Sequence, residues 1–155
     1  MNRRFVAQAL FDRAKADTGS GGLYNASAPA ITGWYWEQGP EAAAYPYVVV
    51  TLADDGESDT FGKSGRELTF YMHIYVTRDT TAAQTAEDTA DNIAARIFGN
   101  GNPNSPTYGF HRWQTTLPSG SGMVATVTAR LGGTSANDRD TVHLIETYQV
   151  IVSQE

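Results

Sequence analysis

Four acidic side chains follow one short apolar run and are the first candidates for chemistry. The stretch AAAYPYVVVTLADDGESD, residues 42–59, ends in Asp54, Asp55, Glu57 and Asp59. Clustered carboxylate oxygens suit a hard cation such as Ca²⁺. However, the spacing lacks the D-x-[DN]-x-[DN]-G pattern and the distal Glu of an EF-hand loop. We therefore predict no metal site here and favour a solvated hairpin tip, whose charges discourage edge-to-edge pairing.

The histidines His73, His111 and His143 are the other candidate metal ligands. Imidazole is a common zinc ligand, but these three residues lie on separate predicted elements without the i, i+4 spacing of a helical site. Aligned strands could still bring His73 and His143 together. The sequence favours three separate histidines, and it predicts neither a metal nor another cofactor.

The candidate nucleophile and phosphate-binding motifs in the sequence do not match the known patterns. GKSGR and SGSGM are not the G-x-S-x-G elbow, and GSGG near residue 20 lacks the Lys-Ser/Thr of a phosphate loop. The chain has no cysteine, which excludes thiol catalysis and disulfides. We therefore predict that the protein is not an enzyme.

The length and the net charge of the chain limit the kinds of partner that it can bind. A chain of 155 residues suits a single domain, 1–155. Its net charge of −6 argues against clamping of phosphates by a basic surface, although nucleic acid could pass nearby without adhering. No apolar run approaches the ~20 residues of a membrane span, so we expect no membrane partner.

Periodicity predicts two helices and four main strands. The helices cover residues 2–17 and 81–98, and Gly99 ends the second as a C′ residue. Strands are predicted over 45–53, 66–78, 122–131 and 141–153. One face of the third is predicted to carry Met123, Ala125, Val127, Ala129 and Leu131. Residues 18–44 are predicted to be an irregular segment, in which Trp34 and Trp36 are spaced as on one face of a short strand. Residues 99–121 are predicted to be a loop insertion with one possible short strand at HRWQTTL.

The order helix, hairpin, helix, hairpin predicts the fold class. We expect an α+β two-layer sandwich, in which a four-stranded, mainly antiparallel sheet carries two helices on one face and a long β-hairpin loop. The opposite face would then be too apolar to be simply solvated. Its covering would be the 18–44 segment with Trp34 and Trp36, the 99–121 loop, or another subunit. The residues of that face, taken with the two tryptophans as subunit-interface candidates, are Tyr47, Val49, Tyr71, Tyr75, Ile145 and Ile151.

The layout resembles that of the tail-terminator, or tail-completion, proteins of tailed bacteriophages. The resemblance runs through YPYVVVTL, the strand-to-helix passage LTFYMHIYVTRDTTA and AEDTADNIAARIF, and then MVATVTARL and HLIETYQVIV. It covers roughly residues 3–98 and 122–152, and the 99–121 insertion departs from it.

The resemblance implies a structural virion protein at the tail–neck junction, assembled in the host cytoplasm. Such proteins form rings, commonly hexameric, that cap the tail tube, stop its polymerisation and dock on a neck or head-completion protein. DNA passes through the lumen, which the acidic tip of Asp54, Asp55, Glu57 and Asp59 would line unless it faces the docking rim. The alternatives are another neck ring, such as a head-completion or stopper protein, and a free monomeric binding domain.

Overall fold

The computed structural model packs two helices against one face of a β-sheet. It describes residues 3–20, 22–27, 29–57, 65–78, 83–99, 109–110, 114–117, 123–136 and 139–154. The helices are α1 (Arg3–Lys15) and α2 (Ala83–Phe98). The strands are β1 (Gly33–Trp36), β2 (Tyr47–Glu57), β3 (Gly65–Thr77), β4 (Gln114–Thr116), β5 (Met123–Ser135) and β6 (Thr141–Gln154).

The prediction of a four-stranded, two-layer α+β sandwich is wrong. The described strands form one curled, mixed sheet of six, in the order β1-β2-β3-β6-β5-β4, and the protein is mostly β. β1 runs parallel to β2, and the other neighbours are antiparallel. The two additional strands, β1 and β4, have only four and three residues. Both lie where the sequence predicts a possible short strand, but neither was included in the predicted four-stranded sheet.

The hairpin of β2 and β3 is longer than predicted. Pairing continues past residue 53 as far as Glu57, opposite Arg66, after a register shift between Leu52 and Asp54. Asp54 and Asp55 therefore belong to a paired strand and not to the connecting tip. The tip itself, residues 58–64, lies outside the described residues.

The hairpin of β5 and β6 contains irregularities that change which side chains share a face. Register shifts occur between Val127 and Ala129, and again between Arg130 and Gly132. An extra residue in one strand moves the following side chains to the opposite face. The predicted common face therefore fails after Val127, because Arg130 takes the place opposite Tyr148 and Leu131 is 55% exposed.

The core lies between the helices and the sheet. α1 buries Val6, Ala7, Leu10 and Ala14, and α2 buries Ala86, Ala90, Ile93, Ala94 and Ile97. These stripes join the alternating residues of the long strands, such as Val48, Phe70 and Val150, in one cluster. Gly99 ends α2 as predicted. It has a φ of 82°, and its N–H donates to the Ala95 carbonyl at 2.9 Å.

Candidate functional site

The sheet face turned away from the helices carries tyrosines and histidines on its three central strands. In β3, Leu68, Phe70 and Met72 point into the core, so the intervening residues point the other way. The register places Tyr47 of β2 beside Tyr75 of β3, and Tyr75 beside His143 of β6. We call this side of β2, β3 and β6 the outer face.

Aromatic rings stack in a continuous row across the outer face. Ring centroids lie 5.3 Å apart for Tyr45 and Tyr47, 4.9 Å for Tyr47 and Tyr75, and 4.2 Å for Tyr75 and His143. The last two pairs are stacked, with interplanar angles of 19° and 17°. Each such contact stabilises by about 0.5–1.5 kcal/mol beyond the area that it buries. The row thus joins rings from β2, β3 and β6 and from Tyr45, just before β2, across the sheet.

A pair of histidines lies at the end of this row. Nδ1 of His73 and Nε2 of His143 are 2.9 Å apart, and Nε2 of His73 is 3.0 Å from Oγ1 of Thr51. One imidazole N–H donates to the other ring, so the two facing nitrogens share one hydrogen. Burial lowers the pKa of His73 and favours its neutral form. The structure confirms that aligned strands bring these two histidines together, whereas His111 lies outside the described residues.

The outer face contains the six strand residues that were predicted to lie opposite the helices. Val49, His73 and Ile145 are neighbours in the register, as are Thr51 and Tyr71, and Glu67 and Ile151. The six residues are Tyr47, Val49, Tyr71, Tyr75, Ile145 and Ile151. Their role as a subunit interface stays a prediction.

The six residues differ in how far their side chains are covered. Tyr71 is 40% exposed, whereas Val49 is only 6% exposed. Gly39, in the connection between β1 and β2, lies against Val49, since a Cβ at this glycine would be 3.5 Å from Cγ2 of Val49. The connection therefore covers this end of the face. The open part of the outer face is therefore centred on β3 and β6.

The two predicted interface tryptophans lie on the other side of the sheet. Trp34 and Trp36 pair with Val48 and Val50, whose side chains enter the core. The Trp34 ring lies 6.3 Å from that of Phe11, and the Trp36 ring lies 6.1 Å from that of Phe70. Both tryptophans pack against the core and do not cover the outer face. They border a cavity of about 150 Å³ beneath α1, which is also lined by Arg4, Ala7, Gln8 and Phe11.

The acidic residues of β2 have different surroundings. Asp54 is exposed, and its carboxylate accepts a hydrogen bond from the N–H of Asp55 at 2.9 Å. The Asp55 side chain is only 12% exposed and lies 3.1 Å from Nε of Arg3 and 2.9 Å from Nε of Arg66. Asp55 thus links α1 to the hairpin. Asp59 and the side chain of Glu57 lie outside the described residues, so the predicted lumen or docking role stays untested.

Two ion pairs, each with a buried carboxylate, could not be predicted from the sequence. Asp17 is bound by both Nε and Nη2 of Arg96, at 2.6 and 2.8 Å, and joins the end of α1 to α2. Glu146 is bound in the same bidentate manner by Arg130. The signal for Glu146 was available, because it interrupts the apolar alternation of β6 between Leu144 and Tyr148. Its partner could not be identified from the sequence.

Within the described residues, no group of three or more His, Asp or Glu side chains is arranged to hold a metal ion. None of the described helices has the length and apolar character needed to cross a membrane.

Comparison with known proteins finds two solved structures of weak similarity. No family model matches the chain, and no curated protein matches it. A chain from the virion of a native gene transfer agent particle is 10% identical, with a TM-score of 0.47, over 93% of this chain and 91% of its own. A second solved structure, also 10% identical with a TM-score of 0.47, covers 100% of this chain and 97% of its own. At these values neither likeness extends to function.

Proposed function

We propose that this protein is a structural subunit of a phage-like virion, which assembles into a ring at the head-proximal end of the tail tube. The ring ends tube polymerisation, docks on a neck or head-completion protein, and lets DNA pass through its lumen. The subunit has no catalytic role. The proposal joins the sequence layout of tail terminators to one structural observation, the partly exposed aromatic and aliphatic side chains of the outer face.

The outer face supports an assembly role because its aromatic and aliphatic side chains are only partly covered. Tyr71 is 40% exposed, and Tyr75, Ile145 and Ile151 are half-buried on the same face. Aromatic residues are enriched at protein interfaces, and their rigid rings lose little conformational entropy on contact. A closed ring needs a head-to-tail contact between two different patches of the subunit. In this proposal the outer face supplies one of those patches.

A charge placed on the outer face tests the interface directly. Tyr71→Asp should abolish ring assembly and head–tail joining, because the carboxylate would be desolvated in the contact. Leu131→Asp is the matched control, since Leu131 is a similarly exposed apolar residue on β5, at 55%. The readout is the yield of joined particles, with circular dichroism confirming that both variants fold. If both variants join heads and tails like the parent, the outer face is not the interface.

Omission of the protein during phage assembly tests the terminator role. We expect overlong tails that fail to join heads, and tails of normal length would refute the proposal. Normal tails that fail to join, with this protein located on the portal side of the particle, would instead identify another neck ring. A strictly monomeric protein that never enters particles would favour a free binding domain. Light scattering of the isolated protein cannot decide, because ring subunits can stay monomeric before assembly.

A further inference from the structure

The histidine pair on the outer face has a geometry that the proposed assembly role does not require. His73 lies on β3 and His143 lies on β6, and the register fixes both strands over thirteen consecutive residue pairs. Their facing nitrogens, Nδ1 of His73 and Nε2 of His143, are 2.9 Å apart. Both side chains are half-buried, so solvent and small ions can reach them. The two nitrogens are therefore held at a fixed separation on an accessible surface.

This separation matches that of two nitrogens bound to one transition-metal ion. With metal–nitrogen distances of about 2.0–2.1 Å, two ligands at a right angle lie about 2.9 Å apart, and two tetrahedral ligands lie about 3.3 Å apart. The two nitrogens now face each other in a hydrogen bond, so metal binding requires the rings to turn until both lone pairs aim at one point. Imidazole nitrogen favours zinc, copper or nickel over Ca²⁺ and Mg²⁺, which prefer oxygen.

The surroundings of His73 also suit a metal ligand. A ligating histidine commonly donates its second N–H to a neighbouring oxygen, which fixes the tautomer and the ring orientation. Oγ1 of Thr51 lies 3.0 Å from Nε2 of His73 and can accept that hydrogen bond. The Tyr75 ring stacks on His143 at 4.2 Å and limits its rotation. Thr51 and Tyr75 of the outer face thus orient the two imidazoles.

We propose that Nδ1 of His73 and Nε2 of His143 bind one divalent transition-metal ion of the zinc and copper class. On binding, the hydrogen that the two facing nitrogens share moves to the other nitrogen of its own ring. No net proton is released when both rings are neutral. Water completes the coordination, since the site offers two protein ligands. The proposal is independent of the role in virion assembly.

Isothermal titration of the purified full chain with Zn²⁺ tests the site. We expect one ion per chain, and affinity should fall by more than about tenfold in His73→Gln and in His143→Gln. Glutamine keeps a polar, hydrogen-bonding side chain at each position, and circular dichroism checks that each variant is folded. His111→Gln is the matched control and should bind like the parent. Thr51→Val should weaken binding by about tenfold, because it removes the oxygen beside Nε2 of His73.

Three results would overturn the proposal. The first is no Zn²⁺ binding by the parent at millimolar concentration. The second is undiminished binding by the folded His73 and His143 variants. The third is an equal loss of affinity in His111→Gln, which would indicate binding elsewhere. Changes in the NMR signals of the imidazoles on Zn²⁺ addition, confined to His73 and His143, provide a supporting readout that does not depend on any variant.

Discussion

At the scale of single residues, two carboxylates are buried among the described side chains, and a guanidinium binds each of them in a bidentate manner. Asp17 is paired with Arg96, and Glu146 with Arg130. An ionised carboxylate removed from water costs several kcal/mol unless such donors surround it. The partners are 79 and 16 positions apart, so no local pattern could predict either pair. They become neighbours only through the fold.

The Arg130 and Glu146 pair should respond unequally to loss of its two members. The Glu146 side chain is 3% exposed and that of Arg130 is 40% exposed, so a carboxylate left alone stays buried, whereas a guanidinium left alone can reach water. We expect Arg130→Met to lower the free energy of unfolding by about 2–3 kcal/mol and Glu146→Gln by about 1 kcal/mol. Urea unfolding followed by circular dichroism measures both values.

A matched control for this prediction is Arg3→Met. The Arg3 side chain is 54% exposed in its contact with Asp55, so its loss should cost less than about 1 kcal/mol. If Glu146→Gln lowers the free energy of unfolding more than Arg130→Met does, the prediction that the lone carboxylate is the more costly group is wrong.

At the scale of elements, the irregularities in β5 decide which residues enter the core. A regular strand would place Val127 and Leu131 on the same face, because they are four positions apart. Instead, Val127 is buried and Leu131 is exposed. The register shift between Val127 and Ala129 brings Arg130 to the core side, opposite Tyr148 and within reach of Glu146. Leu131 itself falls in the second shift, between Arg130 and Gly132. The irregular strand thus provides the cation that the buried acid of β6 requires.

The same substitution at these two positions should therefore have different effects. Val127→Thr places a hydroxyl in the core and should cost about 1–3 kcal/mol, because the group loses water without an assured partner. Leu131→Thr should change the free energy of unfolding by less than about 0.5 kcal/mol. Thermal and urea unfolding of the two variants make the comparison. Similar losses at both positions would mean that β5 runs without the register shifts.

Long helices and strands could be predicted from the sequence, whereas the two shortest strands did not enter the predicted fold. The strand β3 and the helix α2 could be predicted because their apolar periods persist over 13 and 16 residues. The outer face followed from the same alternation on β2, β3 and β6. The strands β1 and β4 were too short to contribute a pattern to the fold class, and no local signal specifies the parallel pairing of β1. The contact between His73 and His143 depends on a register across 70 positions, which the sequence alone does not fix.

At the scale of the whole molecule, the acidic character of the chain acts on its surroundings more than on its fold. The net charge is −6, and Asp54 is an exposed acid near the end of the long β2–β3 hairpin. In the proposed ring, a negatively charged surface beside the lumen would repel the phosphates of DNA, so the DNA would slide through without binding. Asp55 is already engaged by Arg3 and Arg66, so it is a structural residue and should be left unchanged in a test of this effect.

If the proposed ring forms, neutralising the remaining acids should slow the passage of DNA through it. We expect the triple variant Asp54→Asn, Glu57→Gln and Asp59→Asn to assemble normally but to release DNA several-fold more slowly, with a smaller difference at high salt. Single-particle ejection assays give the rates. Asp55→Asn is the contrasting variant and should lower thermal stability. An unchanged rate of DNA ejection in the triple variant would show that these acids do not line the path of the DNA.

The two outermost strands of the described sheet are much shorter than the strands that they flank. β1 has four residues and β4 has three, whereas the strands between them have 11 to 14. β1 pairs with β2 only at residues 47–50, and β4 pairs with β5 only at residues 124–126. No described strand therefore lies along the outer side of residues 51–57 of β2 or 127–135 of β5. A strand edge of this length can pair with a strand of a second chain through backbone hydrogen bonds, which is a route of association separate from the outer face.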